Sequence, residues 1–216
     1  MFIRSMAQRS DEWYVARLGR LTGSVAGDMV ATVKKGEAAA RRDLRLRLVC
    51  ERLTGESQEE RFVSKEMQGG IDKEPEALGA YEARTGACVL PVGFLEHFDV
   101  TNGEMLLSGA SPDGQIGGYR GLVEVKCPKS ATHYRYVRNK VVPPEYIPQI
   151  THYLWLTGAE WCDFVSYDDR FPTALQLFVV RHHRDERAIE AYNLLARIFL
   201  RECDDELAAI QAFAAV

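Results

Sequence analysis

Two short segments constrain this chain more than anything else in it. They are Ser111-Pro112-Asp113-Gly114 and, with ten residues between Asp113 and Glu124, the run Gly121-Leu122-Val123-Glu124-Val125-Lys126. Residues two apart on a strand share a face. Glu124 and Lys126 therefore point one way, while Val123 and Val125 supply a buried side opposite them. A hairpin brings Asp113 beside the pair. Two carboxylates converging at the end of a sheet bind a hard divalent cation such as Mg²⁺ through oxygen. Such an ion neutralises charge on a phosphodiester oxygen and lowers the pKa of a water. The lysine amine can orient or deprotonate that water and counter the charge that develops at phosphorus. Pro-Asp-Gly alone is a common type I turn, and alternating charge on a strand usually marks a solvated face. The joint pattern is what points to metal-dependent phosphodiester cleavage.

Around this hairpin the periodicity alternates between helix and strand. Ser10 is placed to cap a short helix through Arg17, with Asp11 and Glu12 at its positive end. A second short helix is expected near Thr22 or Ser24. From Glu37 to Leu53, Leu44, Leu48 and Val49 share a helical face and Gly55 is the stop. Another helix is expected from Glu74 to Arg84. Short strands are expected at 89–94, 106–109 and 121–126, with turns at Asn102-Gly103 and Pro112-Asp113-Gly114. Helices over 130–137 and 148–156, strands over 161–167 and 175–181, and a long helix from Asp185 complete the pattern. No repeat, low-complexity segment or linker interrupts it. Residues 1–216 read as one nuclease domain of α/β class, a mixed central β-sheet flanked by helices.

Composition narrows the function classes. No apolar run is long enough to cross a bilayer, and Met1 to Met6 shows no signal-peptide hydrophobic region, so no membrane partner and a cytoplasmic location are expected. Five cysteines (Cys50, Cys88, Cys127, Cys162, Cys203), odd in number and without a CxxC pair, argue against a disulfide framework or zinc site and read as buried thiols. His182 and His183 would face opposite sides of a strand, one packed and one solvated. The net charge is −4, with 31 acids against 27 bases, which argues against holding duplex DNA by overall field. Basic clusters at Lys34, Lys35, Arg41, Arg42, Arg45 and Arg47, and at Arg135, Arg138 and Lys140, make any DNA contact local.

Taken in order, the motifs resemble one family. Asp11-Glu12-Trp13-Tyr14-Val15-Ala16-Arg17 through Ser24 comes first, then Gly70-Ile71-Asp72-Lys73-Glu74-Pro75-Glu76-Ala77. The hairpin with Cys127-Pro128 follows, then Tyr146-Ile147-Pro148-Gln149 with Tyr153-Leu154-Trp155. This order is similar to that of the lambda-exonuclease-like viral alkaline exonucleases, or YqaJ-type viral recombinases, with the restriction-endonuclease-like PD-(D/E)xK core. The resemblance implies that fold and a 5′-to-3′ exonuclease degrading one strand of a DNA duplex to mononucleotides. It implies two Mg²⁺ ions with Mn²⁺ as a substitute, preference for 5′-phosphorylated ends, a processive ring-shaped homotrimer, and a single-strand annealing protein as partner in phage-type recombination. By position it makes Asp113, Glu124 and the Val125 carbonyl metal ligands, Glu74 the completion of a second metal site, and Lys126 the catalytic lysine. Arg17, Ser24, Ser111 and Gln149 would hold the terminal 5′-phosphate or the scissile region.

The chemistry of these side chains agrees. Arg17 offers a permanently charged planar fork to two phosphate oxygens. Ser24, near a helix start, adds a hydroxyl and backbone N–H groups. Taken without the resemblance, Arg17 reads as a surface ion pair with Asp11 or Glu12, Glu74 as a helix-start charge, and Gln149 as a polar position on an amphipathic helix. An enclosing ring would hold DNA by topology and so tolerate the acidic balance. The chain departs from relatives at Gly69-Gly70, where some carry a bulky residue, and at Thr151, where some have a second Gln. Met67 and Lys34 are the candidates for contact with the melting end.

Two alternatives stand beside this reading. One is an endonuclease on the same core, of restriction or resolvase type; the other is a non-catalytic DNA-binding or assembly subunit. A terminal-phosphate pocket serves end recognition and has little use in an endonuclease. Bare carboxylates repel a polyanion unless a cation intervenes, so a binding module gains little from them.

Overall fold

The computed structural model describes residues 1–58, 64–99 and 104–214; the expected Asn102-Gly103 turn and the Met67 side chain lie outside what is described. After β1 (Phe2–Arg4), Ser10 caps α1 (Asp11–Arg17) by accepting the Trp13 N–H at 3.2 Å. The chain then forms β2 (Leu21–Thr22), a 3-10 turn (Gly23–Val25) and α2 (Ala26–Met29). Next, α3 (Ala39–Thr54) buries Leu44, Leu48 and Val49 and stops at Gly55, as the periodicity requires.

Two elements differ from expectation. α4 (Lys65–Thr85) begins well before Glu74 and carries Pro75 inside it. Pro75 has no N–H for the Ile71 carbonyl, and Gly69 and Gly70 each cost about 1 kcal/mol relative to alanine in a helix. Burial of Ala77 and Tyr81 against Val123 and Val125 of the sheet outweighs these local costs. The apolar run 89–94 contributes only an isolated bridge between Leu90 and Gln115, and the strand β3 starts at its end (Phe94–Asp99). Pro91 explains the shift, since it cannot donate to a ladder.

The remaining elements are β4 (Glu104–Ala110), β5 (Gly114–Ile116), β6 (Gly121–Lys126), α5 (Ser130–Asn139), α6 (Ile147–Thr157), β7 (Trp161–Tyr167), α7 (Thr173–Gln176), β8 (Leu177–His183) and α8 (Glu186–Ala214). β8 starts later than the expected 175 because α7 takes the first residues of that run. Of the adjacent histidines, His183 is exposed and His182 half-buried. Among the described residues no helix is long and apolar enough to cross a membrane. The cysteines are all free, but only Cys162 and Cys203 are buried; Cys50 and Cys88 are exposed, which corrects the expectation of buried thiols.

The strands share two mixed four-stranded sheets, ordered β1-β3-β4-β2 and β5-β6-β7-β8. In the second, β6 and β7 run parallel while the outer pairs are antiparallel. This places β6 between two layers. Val123 and Val125 pack toward α4; Leu122 packs toward α6, on Ile150, Tyr153 and Leu154. A second core joins α2 and α3 to α8 through Met29, Leu48, Tyr192, Phe199 and Leu200. Two buried histidines tie the layers: the His152 Nε2–H donates to the Gly109 carbonyl at 2.9 Å while Nδ1 accepts the Tyr192 hydroxyl at 2.8 Å. His97 Nδ1 lies 3.2 Å from the Ser108 hydroxyl of the neighbouring strand, and its ring meets Trp155 of α6 edge-on, with centroids 4.2 Å apart. Burial pushes both imidazoles down to about 4.

Candidate functional site

The pairing of Gly114 with Val123 sets the corner of the hairpin. Asp113, just before β5, is thereby laid against the end of β6, where its Oδ2 accepts the Val125 N–H at 2.7 Å. Glu124 shares the α6-facing side of the strand with Leu122 and is only 2% exposed. Its Oε1 receives the Lys126 ammonium and, at 2.6 Å, the Gln149 amide. Gln149 in turn lies 2.6 Å from the Tyr153 hydroxyl. Glu124 Oε2 is buried and has no hydrogen-bond partner among the described residues. Glu74, from α4, is held by Arg9 at 2.6 Å rather than by the hairpin.

The electrostatics are those of a site short of positive charge. Burial, then the nearby Glu124, drives the Asp113 carboxyl well above the ordinary carboxylate range, and Glu74 adds to the rise. Lys126 and the Val125 N–H offset this only in part. For Lys126 burial alone would lower the pKa, but the facing Glu124 and Asp113 outweigh it and keep the amine charged. Crowded carboxylates and a stranded carboxylate oxygen are both relieved by a divalent cation. The donor set suits a hard ion: Asp113 and Glu124 side chains with the Val125 carbonyl would hold it. Among the described residues no three His, Cys, Asp or Glu side chains form a ready-made cage. Waters and substrate oxygens would therefore fill the remaining positions, and Glu74 would have to release Arg9 to join.

A second cluster forms where α1 meets β2. Arg17 donates to the Ser24 hydroxyl at 3.0 Å and lies 3.4 Å from that of Thr22. Its guanidinium stacks 4.1 Å above the Trp13 ring. Trp13 Nε1–H donates to the Ser111 hydroxyl at 2.9 Å, so Arg17, Ser24 and Ser111 belong to one connected group leading to the hairpin. Gly23 is required between them, because a Cβ there would fall 2.3 Å from the Tyr153 ring. The ordinary reading of Arg17 as only a surface ion pair does not describe this geometry.

Several residues around the site carry no sequence signal of their own. Glu51, buried on α3, accepts the Gly19 N–H at 2.8 Å, and Arg52 Nε–H donates to the Gly19 carbonyl at 2.8 Å. The two side chains hold both sides of the loop that delivers Arg17 to Ser24. Arg9 and Tyr153 likewise reach the corner from distant parts of the chain. On α3 the basic run is partly tied up within the chain: Arg41 and Arg45 are engaged by Glu37 and Glu202, and Arg45 also by Glu206.

Comparison with known proteins gives the geometry a context. The alkaline exonuclease LHK-Exo from Laribacter hongkongensis superposes with a TM-score of 0.83 at 37% identity, covering 95% of this chain and 98% of its own. The same protein in complex with dAMP gives 0.84 at 38% identity with the same coverage. A phage-related exonuclease from Haemophilus somnus 129PT shares the fold, with a TM-score of 0.69 at 14% identity over 88% of this chain and 96% of its own. The mixed α/β architecture is thus restriction-endonuclease-like. No curated protein matches the chain. The YqaJ-like viral recombinase domain model matches residues 12–160, from the helix carrying Arg17 to past Gln149. With that match and the LHK-Exo likeness over nearly its whole length, this chain belongs to the YqaJ-like viral recombinase family.

Proposed function

We propose that the chain is a DNA exonuclease that uses Mg²⁺, with Mn²⁺ as a substitute, to remove 5′-mononucleotides from one strand of linear duplex DNA. The observation that carries this reading is the buried, unpartnered Oε2 of Glu124 beside Asp113 and Lys126. A divalent ion bound there supplies Lewis-acid stabilisation of the phosphodiester and acidifies a water. Lys126, held charged against Glu124, orients the attacking water and counters charge developing at phosphorus. Gln149 fixes the Glu124 carboxylate, and the Val125 N–H fixes that of Asp113. Arg17, Ser24 and Ser111 hold the terminal 5′-phosphate, and Glu74 serves a second ion once freed from Arg9. The dAMP complex of LHK-Exo, a nucleoside monophosphate in a relative, supports mononucleotides as products.

The net charge of −4 favours retention by enclosure over attraction, in keeping with a processive homotrimeric ring. The same reading places the protein in the cytoplasm, in phage-type recombination with a single-strand annealing protein. An endonuclease of the same core is the second reading, and the Arg17 cluster weighs against it. Linear 5′-labelled duplex and closed circular duplex, each with and without Mg²⁺, separate the two. The expected result is labelled mononucleotide from the linear DNA, an intact circle, and no product without metal. Arg17→Ala should erase the preference for 5′-phosphorylated over 5′-hydroxyl ends. A cut circle, or an Arg17 variant that keeps the preference, would overturn the corresponding assignment.

A further inference from the structure

Between the start of α4 and the ends of β6 and β7 lies a cleft of about 390 Å³ that the site above does not use. Gly69, Gly70, Lys73, Lys129, Tyr167 and Arg170 are among the residues that line it. Its position is telling. β6 and β7 are parallel, and the cleft opens where both finish, lined on one side from Cys127 to Lys129 and on the other by Tyr167, Asp168 and Arg170. The crevice outside the carboxyl ends of parallel strands is where open α/β sheets take their ligands.

Three cations line the cleft, two of them with carboxylate partners. Lys73, Lys129 and Arg170 face it with a single lining carboxylate, Asp168. That carboxylate is buried and directed at Arg170, which it holds through Nε at 2.7 Å and Nη2 at 2.9 Å. Lys73 is steadied by Asp169. The glycines also have a reason here. A Cβ at Gly70 would come within 3.3 Å of the Cys127 carbonyl oxygen, so packing accounts for it. At Gly69 a Cβ would have nothing within 4 Å. Packing does not require glycine at 69, although glycine is a poor helix former. A long side chain there would occupy the cleft.

The cleft and the Arg17 cluster lie on opposite sides of β6. Glu124 and Lys126 face α6, against which Gly23 also packs through Tyr153. Val123, Val125 and, by strand alternation, Cys127 face α4 and the cleft. A strand whose 5′-phosphate is seated at Arg17 and whose first linkage lies at Lys126 continues away from Arg17. We propose that this cleft takes the backbone of the scissile strand on the 3′ side of the cut, with Lys73, Lys129 and Arg170 on its phosphates. The proposal rests on the exonuclease reading, which supplies the direction of the strand.

The test uses the full chain and 5′-phosphorylated linear duplex, with binding followed by anisotropy in EDTA over a range of NaCl and digestion measured in Mg²⁺. Lys73→Gln combined with Lys129→Gln leaves the pairing of exposed Arg170 with buried Asp168 intact. This variant should bind about tenfold more weakly or worse. Its slope of log affinity on log salt should be shallower by about 1 per lost phosphate contact. Preference for phosphorylated ends should persist, because Arg17 is untouched. Gly69→Leu should weaken binding by obstruction, whereas Gly69→Ala should bind as the parent does and melt no lower. A neutral methylphosphonate at the linkage just 3′ of the cut should weaken the parent and leave the double variant little changed. If the parent digests duplex while the double variant and Gly69→Leu keep its affinity and salt slope, the cleft assignment is wrong and the exonuclease reading survives. If the parent leaves phosphorylated duplex intact, both fall.

Discussion

Along the contact of α3 with α8, Arg41 and Arg45 meet Glu37, Glu202 and Glu206; at the end of β6, Asp113, Glu124 and Lys126 crowd together with a carboxylate oxygen left over. Both regions are dense in charge, and by sequence the first is the more DNA-like because it is basic. In three dimensions each arginine of the first has acidic partners. Glu37, drawn down to about 2 by its hydrogen bond from Arg45 and then from Arg41, titrates as a paired surface carboxylate. Asp113 moves the opposite way, upward, because burial and like charge surround it. Paired charge is a device for holding helices together. At the β6 corner a buried carboxylate oxygen is left without a hydrogen-bond partner among the described residues, a costly placement unless something pairs with it.

The sharpest break between the regions should be in catalysis. Lys126→Ala or Glu124→Ala is expected to reduce cleavage of linear duplex on the order of 10³-fold or more, with circular dichroism unchanged, while Arg45→Ala digests at the parent rate. Equal losses from both would erase the distinction. Metal should come next. If the ion binds as proposed, Mg²⁺ at a hundredfold above its dissociation constant should stabilise the parent by about 2.7 kcal/mol through linkage. For a chain of this size that is a rise in Tm of roughly 5–10 °C. Glu124→Ala should show little of it, and Arg45→Ala all of it.

The smallest effect concerns acid. His97 and His152, with folded values of about 4 below their ordinary 6.5, stabilise the protein fully above pH 6.5 and lose that contribution as pH falls toward 4. Glu37 is depressed too, so its contribution is present above pH 4.5 and lost as pH falls toward 2. Arg45→Ala should cost about 1 kcal/mol at neutral pH, since these pairs are partly exposed. Its melting curves should keep the histidine-driven fall below pH 6.5 and lack part of the further loss below pH 4.5. An Arg45 variant with the parent's full acid profile would show that the network does not stabilise the contact.

How much of this could be read from the chain follows from how local each signal is. The strand at 121–126 and the one at 161–167 fall where expected, because their apolar positions report burial directly. The hairpin corner was legible for the same reason: period-two alternation sorts Glu124 from Val125 without knowledge of the fold. The start of α4 was hidden by Gly69, Gly70 and Pro75, whose local preferences are overruled by the sheet beneath. The run 89–94 looked like a strand until Pro91 is set against the ladder it would have to join. Long-range partners left no trace at all. Nothing near Glu74 in sequence announces Arg9, and nothing near Gly19 announces Glu51 or Arg52.

The hold on Gly19 reaches further than its own loop. Besides the Gly19 carbonyl, Arg52 engages Asp204 of α8 at 2.8 Å. One guanidinium thus couples the last helix of the chain to the rim of the cluster that would seat a DNA end. Through that one side chain a change at Asp204, far along the chain, reaches the loop between Arg17 and Ser24.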